Sequence, residues 1–243
     1  MRLDCAEKYV RIRAEIPEYV SIVVAAKTRT VEEIAAVIEA GAADIGENYV
    51  QEAAQMSAAL GERAKTFNWH LIGHLQKNKI NKALPIFDVI QTVDSYAKAQ
   101  AIDKRVQTGG MSMVPVCIEV NIGNEDSKAG IKPQDHEPFE KFLETLIRSM
   151  ARLPHLHVQG LMTMGPRFGN PEDSRPHFKR MRGIYERIKD LALPHVDMRY
   201  LSMGMTNSYR VAIEEGSNMV RIGTAIFGER KMCGLLHKFT RRV

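Results

Sequence analysis

Lys27 stands directly after the apolar run Val20 to Ala26, where a strand would end. An amine placed there has two readings. It can cap the strand as a solvated charge, which is what most lysines do. In a strand-end pocket with other positive charge nearby, its pKa would fall and the neutral amine could condense with an aldehyde as a Schiff base. Position alone does not decide between them. A second group is Ser202-Met-Gly-Met-Thr206 together with Arg221-Ile-Gly-Thr224. Gly204 and Gly223 would let backbone amides approach an anion, and Ser202, Thr206 and Thr224 supply hydroxyl donors. A helix N-terminus after Thr206 or Gly223 would add a favourable dipole. The plainer reading is two glycine turns with ordinary capping residues.

Other candidates carry less. His70 and His74 lack the HExxH pattern of a zinc pair and read as strand-end and loop histidines. Glu47-Asn48 is a helix cap or a polar contact to a ligand. Asn121 to Lys128 is a polar loop that either closes over a site or merely turns. Cys5, Cys117 and Cys233 are far apart and odd in number, so they are expected reduced, with no zinc ribbon or disulfide scaffold. There is no Ser-His-Asp elbow, no carboxylate cluster for a metal, and neither GxGxxG nor GxxxxGK[ST].

The elements that must position these residues follow a rhythm of short β-rich runs and amphipathic segments. The strands read as Val20 to Ala26, Asp44 to Gly46, Trp69 to Ile72, Val89 to Val93, Val116 to Asn121, His157 to Met162, Tyr200 to Met203 and Asn218 to Ile222. Helices fall between them. Thr30-Val-Glu-Glu33 is a capping box, Asp94-Ser95 can cap the helix after strand four, and Asn207 to Glu215 is the helix between strands seven and eight. An extra helix spans Leu3 to Ala14. Eight βα units in 243 residues fit a single closed (β/α)8 TIM barrel over 1–243, an α/β fold, better than an open doubly wound sheet. Its functional face is the C-terminal edge of the strands, and the loops after strands seven and eight are its usual phosphate site.

Composition bounds the partners. The chain is 44% hydrophobic and 26% charged with a formal charge of +5, and Lys238, Arg241 and Arg242 make its end basic. No concentrated basic face with interleaved aromatics is present, so nucleic acid is not expected, and an anionic small ligand is easier to accommodate. No apolar run is long enough to span a bilayer and no signal peptide is visible, so a cytoplasmic protein without a membrane partner is expected.

Several segments together resemble one family, the small pyridoxal-phosphate homeostasis proteins of the YggS/PROSC type. They are Ala25-Ala-Lys-Thr28, Gly46-Glu-Asn-Tyr-Val-Gln-Glu52, Trp69 to Lys79, Val93-Asp-Ser95, Val120-Asn-Ile122 with Ser127-Lys128, Gly160 to Met164, Leu201 to Met205 and Val220 to Gly228. They occur in order over essentially the whole chain. Two departures stand out: Thr206 where the family usually has Ser, and Ala25-Ala26 where it often has Val-Ser. The resemblance implies a barrel like the N-terminal domain of alanine racemase, holding pyridoxal 5′-phosphate as an internal aldimine on Lys27. Ser202, Gly204, Thr206, Gly223 and Thr224 match the phosphate group, Arg221 the residue facing the pyridine nitrogen, and Asn48 and His70 positions near the cofactor.

An arginine there disfavours a protonated ring, which weakens the cofactor as an electron sink. The chain also ends soon after strand eight, leaving no room for the second domain of a racemase. The implied function is therefore a non-catalytic carrier and buffer in vitamin B6 homeostasis. It would be a monomer, with pyridoxal-phosphate-dependent apoenzymes as possible recipients. The alternative is a fold-type III amino-acid racemase or decarboxylase.

Overall fold

The computed structural model describes residues 4–125, 128–132, 138–165 and 169–229. Leu3, Ser127, Cys233, Lys238, Arg241 and Arg242 lie outside the described residues. Eight strands close a parallel barrel in sequence order: β1 (Ser21–Ala25), β2 (Asp44–Glu47), β3 (Asn68–Leu71), β4 (Val89–Val93), β5 (Val114–Val120), β6 (Leu156–Thr163), β7 (Val196–Met205) and β8 (Met219–Ile222). The ring closes where β8 pairs with β1, with Val23 opposite Arg221 and Val24 opposite Ile222. The helices are α1 (Asp4–Glu15), α2 (Val31–Glu39), α3 (Val50–Leu60), α4 (Ile80–Ala83), α5 (Tyr96–Thr108), α6 (Phe139–Met150), α7 (Arg175–Asp190), α8 (Tyr209–Glu214) and α9 (Thr224–Phe227).

Local chemistry accounts for where these helices start. Thr30 Oγ1 accepts the Glu33 amide at 3.2 Å while the Glu33 carboxylate accepts the Thr30 amide at 2.9 Å, which completes the capping box on α2. Ser95 caps α5 by accepting the Lys98 amide at 3.2 Å. Between β3 and β4 the chain forms a 3-10 turn (Lys77–Lys79) followed by the short α4.

Strand side chains alternate between two environments. Val24, Ile45, Leu71 and Ile118 share one continuous core with Ile34, Ile102, Leu143 and Phe178 of the surrounding helices. Each such fully buried side chain contributes roughly 1.5–3 kcal/mol. The other face points into the barrel, where Val89, Cys117 and Met162 form a separate small cluster. Polar side chains also line that lumen, and their hydrogen bonds run from strand to strand.

Candidate functional site

Lys27 follows β1 by two residues and is half-buried on the C-terminal edge of the barrel. Its Nζ donates to Tyr49 Oη at 3.3 Å and lies 4.9 Å from the centroid of the same ring. The next residue, Thr28, has φ 65°. That is a costly conformation for a β-branched residue, on the order of 1–3 kcal/mol. Such strain persists only where the surroundings hold it, and this turn is closed by the amide of Arg29, which donates to Ala26 O at 2.9 Å. Its guanidinium donates to Gly228 O at 2.9 Å and stacks 5.0 Å from the Phe227 ring, tying the β1 exit to the end of α9.

The turn after β8 lies beside this exit because the two strands are paired. A Cβ on Gly223 would come within 3.3 Å of Ala25 Cβ. Thr206 Oγ1 accepts the Ala225 amide at 3.4 Å, so the turns after β7 and β8 meet. Gly204 has φ +92°, and a Cβ there would lie 2.6 Å from Ala212 Cβ, so only glycine fits. The helices behind these turns are short, six residues in α8 and four in α9. The cradle therefore consists of turn backbone and the Thr206 and Thr224 hydroxyls, without a long helix dipole behind it.

Arg221 lies below this rim, 5% exposed. Its Nη1 donates to Ser202 Oγ at 2.7 Å and Ser202 O at 3.0 Å, and its Nη2 to Thr163 O at 2.7 Å. From Ser202 the bonds continue across the lumen. Ser202 Oγ donates to Gln91 Oε1 at 2.7 Å, and Gln91 Nε2 donates to His70 Nδ1 at 2.9 Å. His70 Nε2 then donates to Asp44 Oδ1 at 3.0 Å. Because Nδ1 accepts, this direction assigns the Nε2–H tautomer. Burial pushes the Asp44 carboxyl up, but the bonds from His70 and Asn68 outweigh it and hold Asp44 below the usual range. Burial also draws Arg221 down to about 10 against the pull of Glu119 and Cys117, which leaves it charged at neutral pH.

Two acids are buried among these groups. Glu47 is 1% exposed. Burial, then Glu52, pushes it up to about 7 despite the Asn48 amide and Lys27. Burial and Asp94 push Glu119 up to about 7 despite Lys98 and Arg221, and its Oε2 has no hydrogen-bond partner.

The structure thus brings Lys27, Gly204, Thr206, Gly223 and Thr224 to one rim with Arg221 beneath. Two residues depart from expectation. Ser202 is not on the rim: β7 runs on to Met205, which pairs with Arg221, so Ser202 is fully buried and its hydroxyl is committed to Arg221 and Gln91. His70 is next to last in β3, but its side chain runs down to Asp44 at the opposite end of the barrel, away from the rim. Asn48 lies at the β2 exit, half-buried beside Tyr49 and Gly73 in a cleft also lined by His74 and Lys79. Neither Glu47 nor Asn48 caps α3, whose N-cap position is Tyr49.

Asn121 organises the loop after β5, donating to Glu125 O at 2.8 Å and Lys128 O at 3.0 Å. Tyr49, Gln91, Thr163 and Glu119 adjoin these groups and were given no role in the sequence reading, although Tyr49 and Thr163 fall within its motifs. For Gln91 and Glu119 a signal was available: each interrupts a largely apolar strand, Gln91 together with Thr92. Among the described residues no group of His, Cys, Asp and Glu could hold a metal ion, and no helix is long and apolar enough to cross a membrane.

An amine, a glycine-lined turn and a buried guanidinium on adjacent strands can hold a phosphorylated aldehyde. Comparison with known proteins agrees with that chemistry. Residues 5–231 match the family model described as alanine racemase, N-terminal domain. The pyridoxal phosphate homeostasis protein of Aquifex aeolicus is 40% identical over 211 residues, covering 85% of this chain and 86% of that protein. The protein of the same name from Escherichia coli is 34% identical over 215 residues, with 88% and 87% covered. Among solved structures, PipY of Synechococcus elongatus with PLP bound superposes with a TM-score of 0.81 at 29% identity, covering 92% of this chain and all of that one. The alanine racemase of Bacillus anthracis shares the fold at a TM-score of 0.69 and 20% identity, and this chain covers 57% of it. By the extent of these matches, the chain belongs to the alanine racemase N-terminal domain family and, within it, to the pyridoxal phosphate homeostasis proteins.

Proposed function

We propose that this chain binds pyridoxal 5′-phosphate reversibly and acts as an intracellular carrier and buffer of that cofactor, passing it to dependent apoenzymes. The observation that carries the reading is the pairing of β1 with β8, which sets Lys27 beside the Gly223-Thr224 turn with Arg221 between them and the barrel floor. The residues fit the group. Lys27 Nζ is a primary amine at the mouth, the space beside Gly223 is what a side chain would fill, and Thr206 and Thr224 offer hydroxyls to the phosphate. The bound cofactor supplies an aldehyde that condenses reversibly with an amine, one water leaving on capture and returning on release.

The other residues orient and restrain. Arg221, fixed by Ser202 and Thr163, would set a positive charge near the ring nitrogen and oppose a proton there. Tyr49 holds the Lys27 amine when no aldehyde is present. A ring kept unprotonated stabilises a carbanion poorly, which favours holding over turnover.

Borohydride reduction of cofactor-loaded protein followed by peptide mass mapping tests the covalent hold. The expected label is on Lys27, and a label elsewhere or none removes the reading. The carrier role is tested by deuterium exchange at the α-carbon of a panel of amino acids. No exchange above background is expected, and rapid exchange with any of them makes the protein an enzyme.

A further inference from the structure

We infer that Glu119 is a positioning residue for Arg221, setting how much of the guanidinium charge reaches the rim above it. Three observations place it there. Arg221 reaches from β8 past Ser202 on β7 to the carbonyl of Thr163 on β6. Thr163 is paired with Val120, one residue beyond Glu119, and donates its hydroxyl to Val120 O at 2.6 Å. Glu119, opposite Met162, is therefore one residue from the strand position that the guanidinium reaches, and the two groups feel each other's charge. It is 3% exposed, and Oε2 has no partner. Arg221 spends its hydrogen bonds on Ser202 and Thr163, so acid and guanidinium act on each other through space and not through a shared hydrogen bond.

A buried acid with an unsatisfied oxygen is far less costly neutral than ionised. Glu119 accordingly titrates near 7, because burial and Asp94 at the β4 exit oppose ionisation more than Lys98 and Arg221 favour it. The other groups around it do not change the sign. Lys98 is paired to Asp94 at 2.7 Å, His74 Nδ1 stands 3.4 Å from the Lys98 amine, and the Cys117 thiol, pushed up to about 12 by burial, carries no charge at neutral pH. Below neutrality Glu119 is an uncharged acid and the Arg221 charge is uncompensated. Above it, a carboxylate offsets that charge.

The consequence rests on the proposed function. An anionic cofactor held over Arg221 is retained more tightly while Glu119 is neutral and is released more readily as Glu119 ionises. The experiment compares pyridoxal 5′-phosphate dissociation from wild-type protein and Glu119→Gln across pH. The two are expected to match below pH about 6 and diverge above about 8, where wild-type protein should release the cofactor about threefold to tenfold faster. Profiles that superimpose throughout overturn the inference. Infrared titration of the apoprotein in a Glu47→Gln background needs neither cofactor nor the Glu119 variant. A protonated-carboxyl band that disappears near pH 7 is expected, and its absence at pH 6 overturns the inference independently of whether the cofactor binds.

Discussion

Arg221 and Ser202 are joined twice through one nitrogen, Nη1 donating to the hydroxyl at 2.7 Å and to the carbonyl at 3.0 Å. The serine is thus a mount for the arginine, and the position of the guanidinium depends on a hydroxyl that never reaches the rim. Ser202→Ala should leave Arg221 on its two carbonyls while orphaning Gln91 Oε1. The expected cost is about 1–3 kcal/mol of stability, read from the urea midpoint of the apoprotein. Cofactor dissociation should rise less than in the arginine variant below.

Arg221→Ala removes the buried charge and its three bonds. Cofactor dissociation, followed by absorbance, should accelerate roughly tenfold or more. Arg221→Lys keeps the charge but not the planar fork, so it should recover only part of that loss. Dissociation unchanged in the alanine variant would contradict the assigned role.

Gly204→Ala combines an unfavourable φ with a contact to Ala212 that has no room to open. A loss of about 2–4 kcal/mol is expected in chemical denaturation. Displacement of the Met205–Thr206 turn should weaken cofactor retention at the same time.

Glu47 gives a pH signature. Its carboxyl is raised from an ordinary value near 4.5 to about 7, so the folded state holds the proton more tightly than the unfolded one. The stability from that preference is fully present below about 4.5 and is lost as pH rises through 7. Glu47→Gln should therefore match wild type near pH 4.5 and exceed it at pH 8 by on the order of 2 kcal/mol, measured by thermal unfolding of the apoprotein.

Arg29→Ala should free the end of α9 from the β1 exit. Faster amide hydrogen exchange is expected at Phe227 and Gly228, with the exchange of β4 and β5 unchanged.

Much of the fold was legible because buried parallel strands leave continuous apolar runs and capping residues mark helix starts. Thr30, Ser95 and the run ending at Ala26 acted as read. The site was legible on its rim, where glycine and hydroxyl residues announce turns. It was not legible in the lumen, because a strand buried on both faces does not say which residues point inward. Gln91 and Glu119 stand out as polar residues in their runs, but the runs do not say that they face the lumen. Ser202 was read as a rim residue and lies below the rim because the end of β7 is fixed from outside its sequence. Ser217 Oγ lies 3.0 Å from Leu201 O and 2.9 Å from Met203 O, sharing its one proton between them, and Met205 pairs with Arg221, which carries the strand two residues past its expected stop.

The seam between β1 and β8 has a bearing on how the protein is made. Lys27 is delivered by the opening of the chain and the anion turn by residues some two hundred positions later. No partially synthesised polypeptide can present both, and an emerging chain on the ribosome has an amine without a counterpart. On the proposed reading, capture of the vitamin therefore requires the ring to have closed.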